Sequence, residues 1–573
     1  MHLPNDRVEI NHYSYSLTQQ KLNGLKVKPG FLAKPHFEPQ YDSKGRILVT
    51  YWPILESMWI FHEPTAANAM KSFYERQALD NGTEIDESQM EHFTKFFTNW
   101  AKEYLPVLSK IETFEEWIST RYHMKKEKIE RYKEGYERYK TFPKLALTNA
   151  KNLRKKMVIK SELMNKNLYA AARTINMRDP SIGAVLGPIY NSMTKGVKHA
   201  MGNSNYSTYI ATDSLLHNIH YTAGLTRNQH GDIVHNILDC EIHYAFIGVD
   251  FSKFDSSQGR DIILTEKIVA ARMCKDFPEA LDLLNTHIEY SAGKWESAFK
   301  SYMPYEKGRE FKVNCMATRS SGDPQTSFSN TVLNAALISY AVIQILGREG
   351  FKSCHLLVNG DDSLLFVPVH HKQTIVDTLA KQLFGLGFKT TMEHSEILSR
   401  VEYCSSFFIP MFDHTIKGVN HFLMPKFGNI LSKTAISVKQ FQTDEEHFAY
   451  AANKAEGAYN ELCMFPDLEV FFAKLIVIFK HLAGRVYVQD PEYKFINNRR
   501  KVSPLTETIE AIADRYDVQL SEVTDWLRGF KRVDYRDYIL DHGISYKIAE
   551  KDLKQFTDEQ WSEFQVWVSS RIQ

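Results

Sequence analysis

The chain reads as an α+β protein in which helices pack on an antiparallel sheet, and three stretches predict this. From His355 to Val367, two apolar runs flank the tip Asn359-Gly360-Asp361-Asp362. Asn-Gly between apolar runs is the strongest short-range hairpin signal, because both residues tolerate the positive φ of a tight turn. Neither run alternates with polar residues, so both strands are expected to be buried on both faces. Tyr244 to Val249 is a second apolar run of strand length, ending at Asp250. The third stretch follows Asn330 and stays apolar through Leu346, which is too long for a strand and predicts a buried helix.

Composition bounds the rest. At 573 residues the chain exceeds one ordinary core, so roughly two to four subdomains are expected. Hydrophobic content of 43% and aromatic content of 13% describe a well-packed globular protein. The net charge is +1, so any nucleic-acid site must be a local basic patch rather than a global field. The six cysteines, Cys240, Cys274, Cys315, Cys354, Cys404 and Cys463, form no CxxC pair, which argues against a disulfide framework or zinc ribbon and fits a reducing compartment. The N-terminus shows no signal peptide. Val470 to Phe479 is the most membrane-like run, but it is too short to span a bilayer and is split by Lys474, so a soluble protein is expected.

In chain order, residues 1–60 mix Pro, Gly and short apolar pieces and read as an extended arm with a few strands. From Glu63 to Tyr139 the pattern is helical, and Lys125 to Lys140 is a charged, solvated helix. The window from Lys151 to Arg178 then holds eight Lys and Arg (Lys151, Arg154, Lys155, Lys156, Lys160, Lys166, Arg173, Arg178) against one acid, Glu162. A solvated face normally mixes signs, whereas a one-signed cluster suggests phosphate contact. After the Tyr244–Val249 strand, Phe251 to Phe254 turns the chain to Asp255, and Gly259 to Met273 is expected as one helix. Asp250 and Asp255 can therefore face a common cleft.

Ser320-Ser321-Gly322-Asp323-Pro324 opens the apolar helix, with Asp323 expected as N-cap and Pro324 at the first helical position. Thr326 and Asn330 are four apart and share a face of that helix, where polar groups need partners. Beyond the hairpin, Gln373 to Leu386 is an amphipathic helix closed by Gly385 and Gly387. Glu402 to Phe408 is a strand candidate paired with His421 to Met424, and the remainder is mainly helical, with Ile509, Ile512, Ala513 and Tyr516 on one helix face.

Asp361 and Asp362 are adjacent carboxylates with no cation beside them in sequence. Held together they repel unless a cation lies between them, and oxygen-only ligands suit Mg²⁺ or Mn²⁺. In order the chain offers a basic window, Asp-x4-Asp after a strand, Ser-Gly-x3-Thr-x3-Asn opening a helix, Gly-Asp-Asp in a hairpin, and Gly-x-Lys after a helix. This series resembles the RNA-dependent RNA polymerases of positive-strand RNA viruses, with a tombusvirus- and nodavirus-like flavour. Asp250 to Asp255 is similar to motif A, Ser321 to Asn330 to motif B, and Gly360-Asp361-Asp362 to motif C. Gly387-Phe388-Lys389 resembles motif D and Glu402 to Phe407 motif E. Val158 to Glu162 with Lys166 and Arg173 resembles motif F, although Ala172 stands where a proline often precedes that arginine.

The resemblance implies a right-hand polymerase. Its palm would hold 241–265 (motif A) and 313–410 (motifs B to E). The fingers would hold 1–240 with the N-terminal arm, plus an insertion at 266–312, and the thumb and C-terminal helical region 411–573. It implies RNA synthesis from NTPs on an RNA template, with Mg²⁺ or Mn²⁺ on Asp250, Asp361 and Asp362. Lys160, Lys166 and Arg173 would hold the triphosphate, Lys389 would protonate the leaving pyrophosphate, and Asp255, Ser321, Thr326 and Asn330 would read the ribose. A reverse transcriptase would share the palm but usually carries a bulky aromatic where Asp255 stands. A non-catalytic palm-fold binding protein would not need three acids together. A helicase is disfavoured by the lack of a GxxxxGK[ST] loop. The family implies work in the host cytoplasm in membrane-associated replication complexes, with a partner supplying any membrane tether.

Overall fold

The computed structural model describes residues 64–78, 85–122, 124–160, 171–200, 218–301, 310–437, 441, 443–488, 501–532 and 543–553, together with short strands at Leu32–Pro35, Val49–Thr50, Ile60–Phe61 and Leu163–Met164. Most of the expected N-terminal arm, and Glu162 and Lys166 in the basic window, lie outside these residues.

The fold is α+β. At its centre lies a five-stranded sheet of β1 (Ile219–Tyr221), β2 (Tyr244–Phe251), β3 (His355–Asn359), β4 (Asp362–Pro368) and β5 (Thr390–Ser395), in spatial order β5-β2-β4-β3-β1. All neighbours are antiparallel except β3 and β1. The absence of polar alternation in β2, β3 and β4 has a direct cause. One face, including Ile247, Val249, Leu356, Val358, Leu365 and Val367, packs into the core with helices Glu87–Tyr104, Pro180–Ala200, Thr326–Lys352 and Lys372–Phe384. The opposite face, with Tyr244, Phe246, Leu357, Leu364 and Phe366, is covered by Tyr403, Phe408, Leu423 and the helix Arg227–Leu238. Both faces are dry, so apolar residues recur at every position.

The β3–β4 hairpin forms as expected, but its tip is shifted by one residue. Asn359 closes the ladder opposite Asp362, so the loop residues are Gly360 and Asp361. Gly360 has a φ of 66° and neither Asn359 nor Asp361 is left-handed, the pattern of a II′ turn with Gly at its first central position. The shift is pinned from outside, because the Gly360 N–H donates to Thr331 Oγ1 at 2.8 Å and Asn359 Nδ2 donates to Cys404 Sγ at 3.4 Å.

Three other boundaries differ from the sequence reading. The apolar helix starts at Thr326 with Gln325 as N-cap, because the Asp323 carboxylate is taken by two buried cations instead of capping. The region 259–273 is two helices, Arg260–Leu264 and Glu266–Met273, broken at Thr265, whose hydroxyl turns back to the Ile262 carbonyl. The strand expected from Glu402 begins at Ser406, because Cys404 and Ser405 are left-handed, with φ of 52° and 54°. It then runs to Asp413 and pairs with Gly418–Pro425, placing Phe407 opposite Met424.

A second sheet joins Leu32–Pro35, Glu310–Met316, Lys294–Lys300, Lys155–Ile159 and Thr174–Met177 in that order, and carries the basic window. C-terminal helices Asp444–Leu462, Pro466–Ala483, Thr506–Tyr516, Leu520–Gly529 and Gly543–Leu553 surround a separate core that includes Phe427, Phe472 and Trp526. Among the described residues, the one helix long and apolar enough to cross a membrane is Thr326–Lys352, whose apolar window is 72% buried within the fold.

Candidate active site

Register brings the acids together. Ser363 on β4 pairs with Val249 on β2, so Asp362 and Asp250 are the next residues at the same end of neighbouring strands. Asp361 occupies the adjoining turn, and Thr391 on β5 lies opposite Asp250. All three carboxylates lie at solvent-accessible positions at that sheet end. Protein crowds the cleft around Asp362 without covering it. This desolvation, followed by the charges of Asp361 and Asp250, pushes its carboxyl up to about 6. Lys426, ion-paired with Glu402, and a hydrogen bond to Cys404 pull the other way.

The helix Thr326–Lys352 holds this cluster in place. Asn334 Nδ2 donates to the carbonyls of Gly360 at 3.1 Å and Asp362 at 3.3 Å, while Thr331 accepts the Gly360 N–H. One turn earlier, Asn330 Nδ2 donates to Asp255 Oδ1 at 2.7 Å. Asp255 reaches that position because Lys253 is left-handed, with a φ of 55°, and reverses the chain after β2. Burial raises the Asp255 carboxyl above its ordinary range and Asp361 adds to this, while the Asn330 hydrogen bond and the charges of Arg319 and Arg173 oppose it. The Asp255 carboxyl therefore shares one electrostatic neighbourhood with Asp361 and Arg173.

The basic window divides into two parts. Lys160 and Arg173 are exposed at the ends of neighbouring strands, where the Lys160 N–H donates to the Arg173 carbonyl at 2.8 Å. Lys155 and Arg178, at the other end of the same strand pair, are buried against Asp323 at 3.1 and 3.0 Å. Lys155 also lies over the Trp295 ring at 4.0 Å and Arg178 over Tyr290 at 4.4 Å. Burial pulls Lys155 down to about 7. Burial would raise Asp323, but the charges of Arg178 and Lys155 hold it below the ordinary carboxylate range. These two cations are therefore structural.

Ser321 and Gly322 lie against the same arm. The Ser321 carbonyl accepts from the Asn176 N–H at 2.8 Å, and a Cβ on Gly322 would stand 2.8 Å from both the Asn176 carbonyl oxygen and the Ile175 side chain. With a φ of 109°, only glycine suits this position. The Thr326 hydroxyl donates to the Ser320 carbonyl at 3.0 Å and closes the loop. Lys389 is exposed just before β5, and its carbonyl accepts from the Ser252 N–H at 2.8 Å.

The sequence reading missed Gln258, Arg319 and Glu266, which extend the Asp255–Asn330 pair inward, and Thr331 and Asn334, which hold the hairpin tip. Asn334 was findable, since it lies four residues after Asn330 on an otherwise apolar helix.

The profile of the viral RNA dependent RNA polymerase family matches residues 50–505. The chain belongs to this family. Among similar proteins, the RNA-directed RNA polymerase of Carnation ringspot virus (isolate Lommel) is 28% identical over 161 residues, 28% of this chain and 19% of the relative. That of Tobacco necrosis virus (strain A) is 21% identical over 333 residues, 57% of this chain and 41% of the relative. The methyltransferase/helicase/RNA-directed RNA polymerase of Raspberry bushy dwarf virus is 32% identical over 122 residues, 21% of this chain and 6% of the relative. The chain thus spans less than half the length of each of these polymerases. The family assignment agrees with the order of motifs from Lys151 to Met424, and the matched segment contains every site residue named above.

The donor set fits Mg²⁺ or Mn²⁺, being carboxylate oxygen only. Among the described residues, no three His, Cys, Asp or Glu side chains enclose a single ion position. Mg²⁺ does not require such a cage, because it is usually held by one or two carboxylates and completed by water and substrate phosphates.

Proposed function

We propose that the chain copies an RNA template into a complementary RNA strand from NTPs, by nucleotidyl transfer at the β2–β4 sheet end. The observation that carries this reading is the placement of Asp250, Asp361 and Asp362 at one sheet end, beside the hydrogen-bonded Asp255–Asn330 pair. Acids alone would serve many phosphoryl reactions. The neighbouring acceptor–donor pair adds a group able to engage a ribose 2′-hydroxyl, which both donates and accepts.

In this reading Asp250 and Asp361 would hold two divalent cations, with Asp362 assisting. When bound, such ions would supply Lewis-acid activation of a 3′-hydroxyl and countercharge for a triphosphate. Lys160 and Arg173 orient the incoming triphosphate from the exposed end of their strand pair. Lys389 donates a proton to the departing pyrophosphate. Asp255 and Asn330, helped by the Ser321–Thr326 loop, select ribose. The central sheet with its helices corresponds to a palm, the sheet carrying 155–177 to part of the fingers, and the C-terminal helices to a thumb.

The test is primer extension by the full chain on an RNA template with Mg²⁺, comparing NTPs with dNTPs. Extension with NTPs that is abolished in Asp361→Ala, while the melting temperature is unchanged or raised, is the expected result. Removing one of three clustered carboxylates relieves repulsion, so the fold has no reason to suffer. Undiminished extension by Asp361→Ala refutes the assignment.

A further inference from the structure

Behind the Asp255–Asn330 pair lies a buried polar chain whose direction is set by chemistry. Asn330 Oδ1 accepts from Gln258 Nε2 at 3.0 Å, Gln258 Oε1 accepts from Arg319 Nε at 3.0 Å, and Arg319 is ion-paired with Glu266. Gln258, Arg319 and Asn330 are 0%, 3% and 6% exposed, so none can exchange these partners for water. The Arg319 N–H also donates to the Asp255 carbonyl at 3.1 Å, tying the inner end of the chain to the backbone of the residue at its outer end.

An amide side chain can be turned either way, but here it cannot. A guanidinium only donates, so Gln258 must turn its oxygen toward Arg319 and its NH₂ toward Asn330. Asn330 must then offer its oxygen to Gln258 and its NH₂ to Asp255. A carboxylate only accepts, so the other end of the chain demands the same orientation. Each link is satisfied in one sense only, and reversing one amide would bring two donors or two acceptors together at both of its ends.

Resting on the reading of Asp255 and Asn330 as the ribose pair, we propose that Gln258, oriented by the Arg319–Glu266 ion pair, is a positioning residue for sugar selection. It fixes the Asn330 amide so that the pair offers the 2′-hydroxyl one acceptor, on Asp255, and one donor, the second Asn330 N–H. Gln258 lies too deep to touch substrate and acts only through Asn330. The residue is three positions beyond Asp255, past the segment Asp250 to Asp255 from which the sequence assigns function. The hydroxyls of its neighbours Ser256 and Ser257 donate to the Lys253 carbonyl.

The experiment is single-nucleotide incorporation by the full chain, measuring kcat/KM for ATP and dATP in the same preparation. A misfolded fraction lowers both values equally and cancels in their ratio, so the ratio reports positioning and not stability. Gln258→Met keeps the side-chain length and apolar bulk but removes donor and acceptor. The charge-neutral double replacement Arg319→Gln with Glu266→Gln keeps hydrogen-bonding capacity but removes the donor-only end that sets direction. Asn330→Ala serves as the reference.

A polar pair left unpartnered by a deoxy sugar gives discrimination of roughly 5- to 150-fold. Both Gln258→Met and the double replacement are expected to lower the ATP/dATP ratio by about tenfold, the worth of one well-placed hydrogen bond to a charged pair. A ratio within twofold of wild type in both, while Asn330→Ala lowers it, overturns the Gln258 assignment and leaves the ribose pair standing. An unchanged ratio in Asn330→Ala removes the ribose reading and the relay with it.

Discussion

Asp323 is the best place to test how the strand pair carrying Lys160 and Arg173 is held. Its carboxylate is 1% exposed and bridges Lys155 and Arg178, whose side chains are 0% and 3% exposed. Asp323→Ala leaves two buried cations without their anion, and breaking a buried pair by removing one partner costs about 3–5 kcal/mol. Arg178 keeps a hydrogen bond to His287 Nδ1 at 3.2 Å and its stacking on Tyr290, which cannot replace a countercharge. Lys155 can shed its proton. With the carboxylate present it titrates at about 7, pulled down by burial and partly supported by Asp323, so without Asp323 its pKa falls further. The sign follows from linkage. Above pH 7 the lysine is mostly neutral in both folded proteins, and the stability deficit of the variant is constant. Below pH 7 the wild type gains a proton in a paired site while the variant resists it, so the deficit widens. Thermal melting of wild type and Asp323→Ala at pH 6, 7 and 8.5 measures this directly. Because Lys155 and Arg178 anchor the end of the strand pair opposite Lys160 and Arg173, KM for NTPs should rise as well. Unchanged melting and unchanged KM would refute the latch, and a deficit that shrinks on acidification would refute the role of Lys155.

Two further outcomes follow from the site. Replacing Arg173 or Lys160 by Ala should raise KM for NTPs severalfold with little change in the salt dependence of RNA binding if the two hold the triphosphate as proposed; a shifted salt slope with constant KM would assign them to the template. Burial and the charges of Asp361 and Asp250 push Asp362 up to about 6, so protons would compete with a cation held as proposed. The Mg²⁺ concentration for half-maximal incorporation should rise as pH falls through 6, and incorporation that keeps a constant Mg²⁺ requirement from pH 8 to 5.5 would contradict this.

The central sheet was legible because burial on both faces leaves an uninterrupted apolar record, as in Leu356 to Val358 and Leu364 to Val367. Asp361 and Asp362 were legible because adjacent carboxylates at a hairpin are costly without a reason, and Asp250 because it ends an apolar strand. Their exact seating was not, because the turn depends on contacts from Thr331 and Cys404, far away in sequence. The same applies to Asp323, which carries a local N-cap signal but follows two buried cations from a strand pair about 150 residues earlier. The one-signed charge of the basic window was also misleading in part, since two of its eight cations, Lys155 and Arg178, neutralise that distant acid. Gln258 has no local signature, since a glutamine beyond a turn is ordinary until its partners are known.

The helix Thr326–Lys352 explains why these parts act as one site. Its first turns rise about 1.5 Å per residue, so Asn330 and Asn334 lie roughly 6 Å apart on one face, with Thr331 beside them. Asn330 fixes Asp255, and Thr331 with Asn334 fixes the turn that carries Asp361 and the start of β4 at Asp362. The loop leading into the helix, through Ser321 and Gly322, lies against the strand that follows Arg173. The Asp255–Asn330 pair, the clustered acids and the strand pair carrying Lys160 and Arg173 are therefore indexed to one helical segment, residues 326–346, which ends at the non-helical Gly347 (φ of 74°) and is held by complete burial from Phe328 to Val342. A rotation of that helix by one residue would displace all three together. This gives a physical reason for keeping polar asparagines in an apolar core helix, where each must be matched by a specific partner.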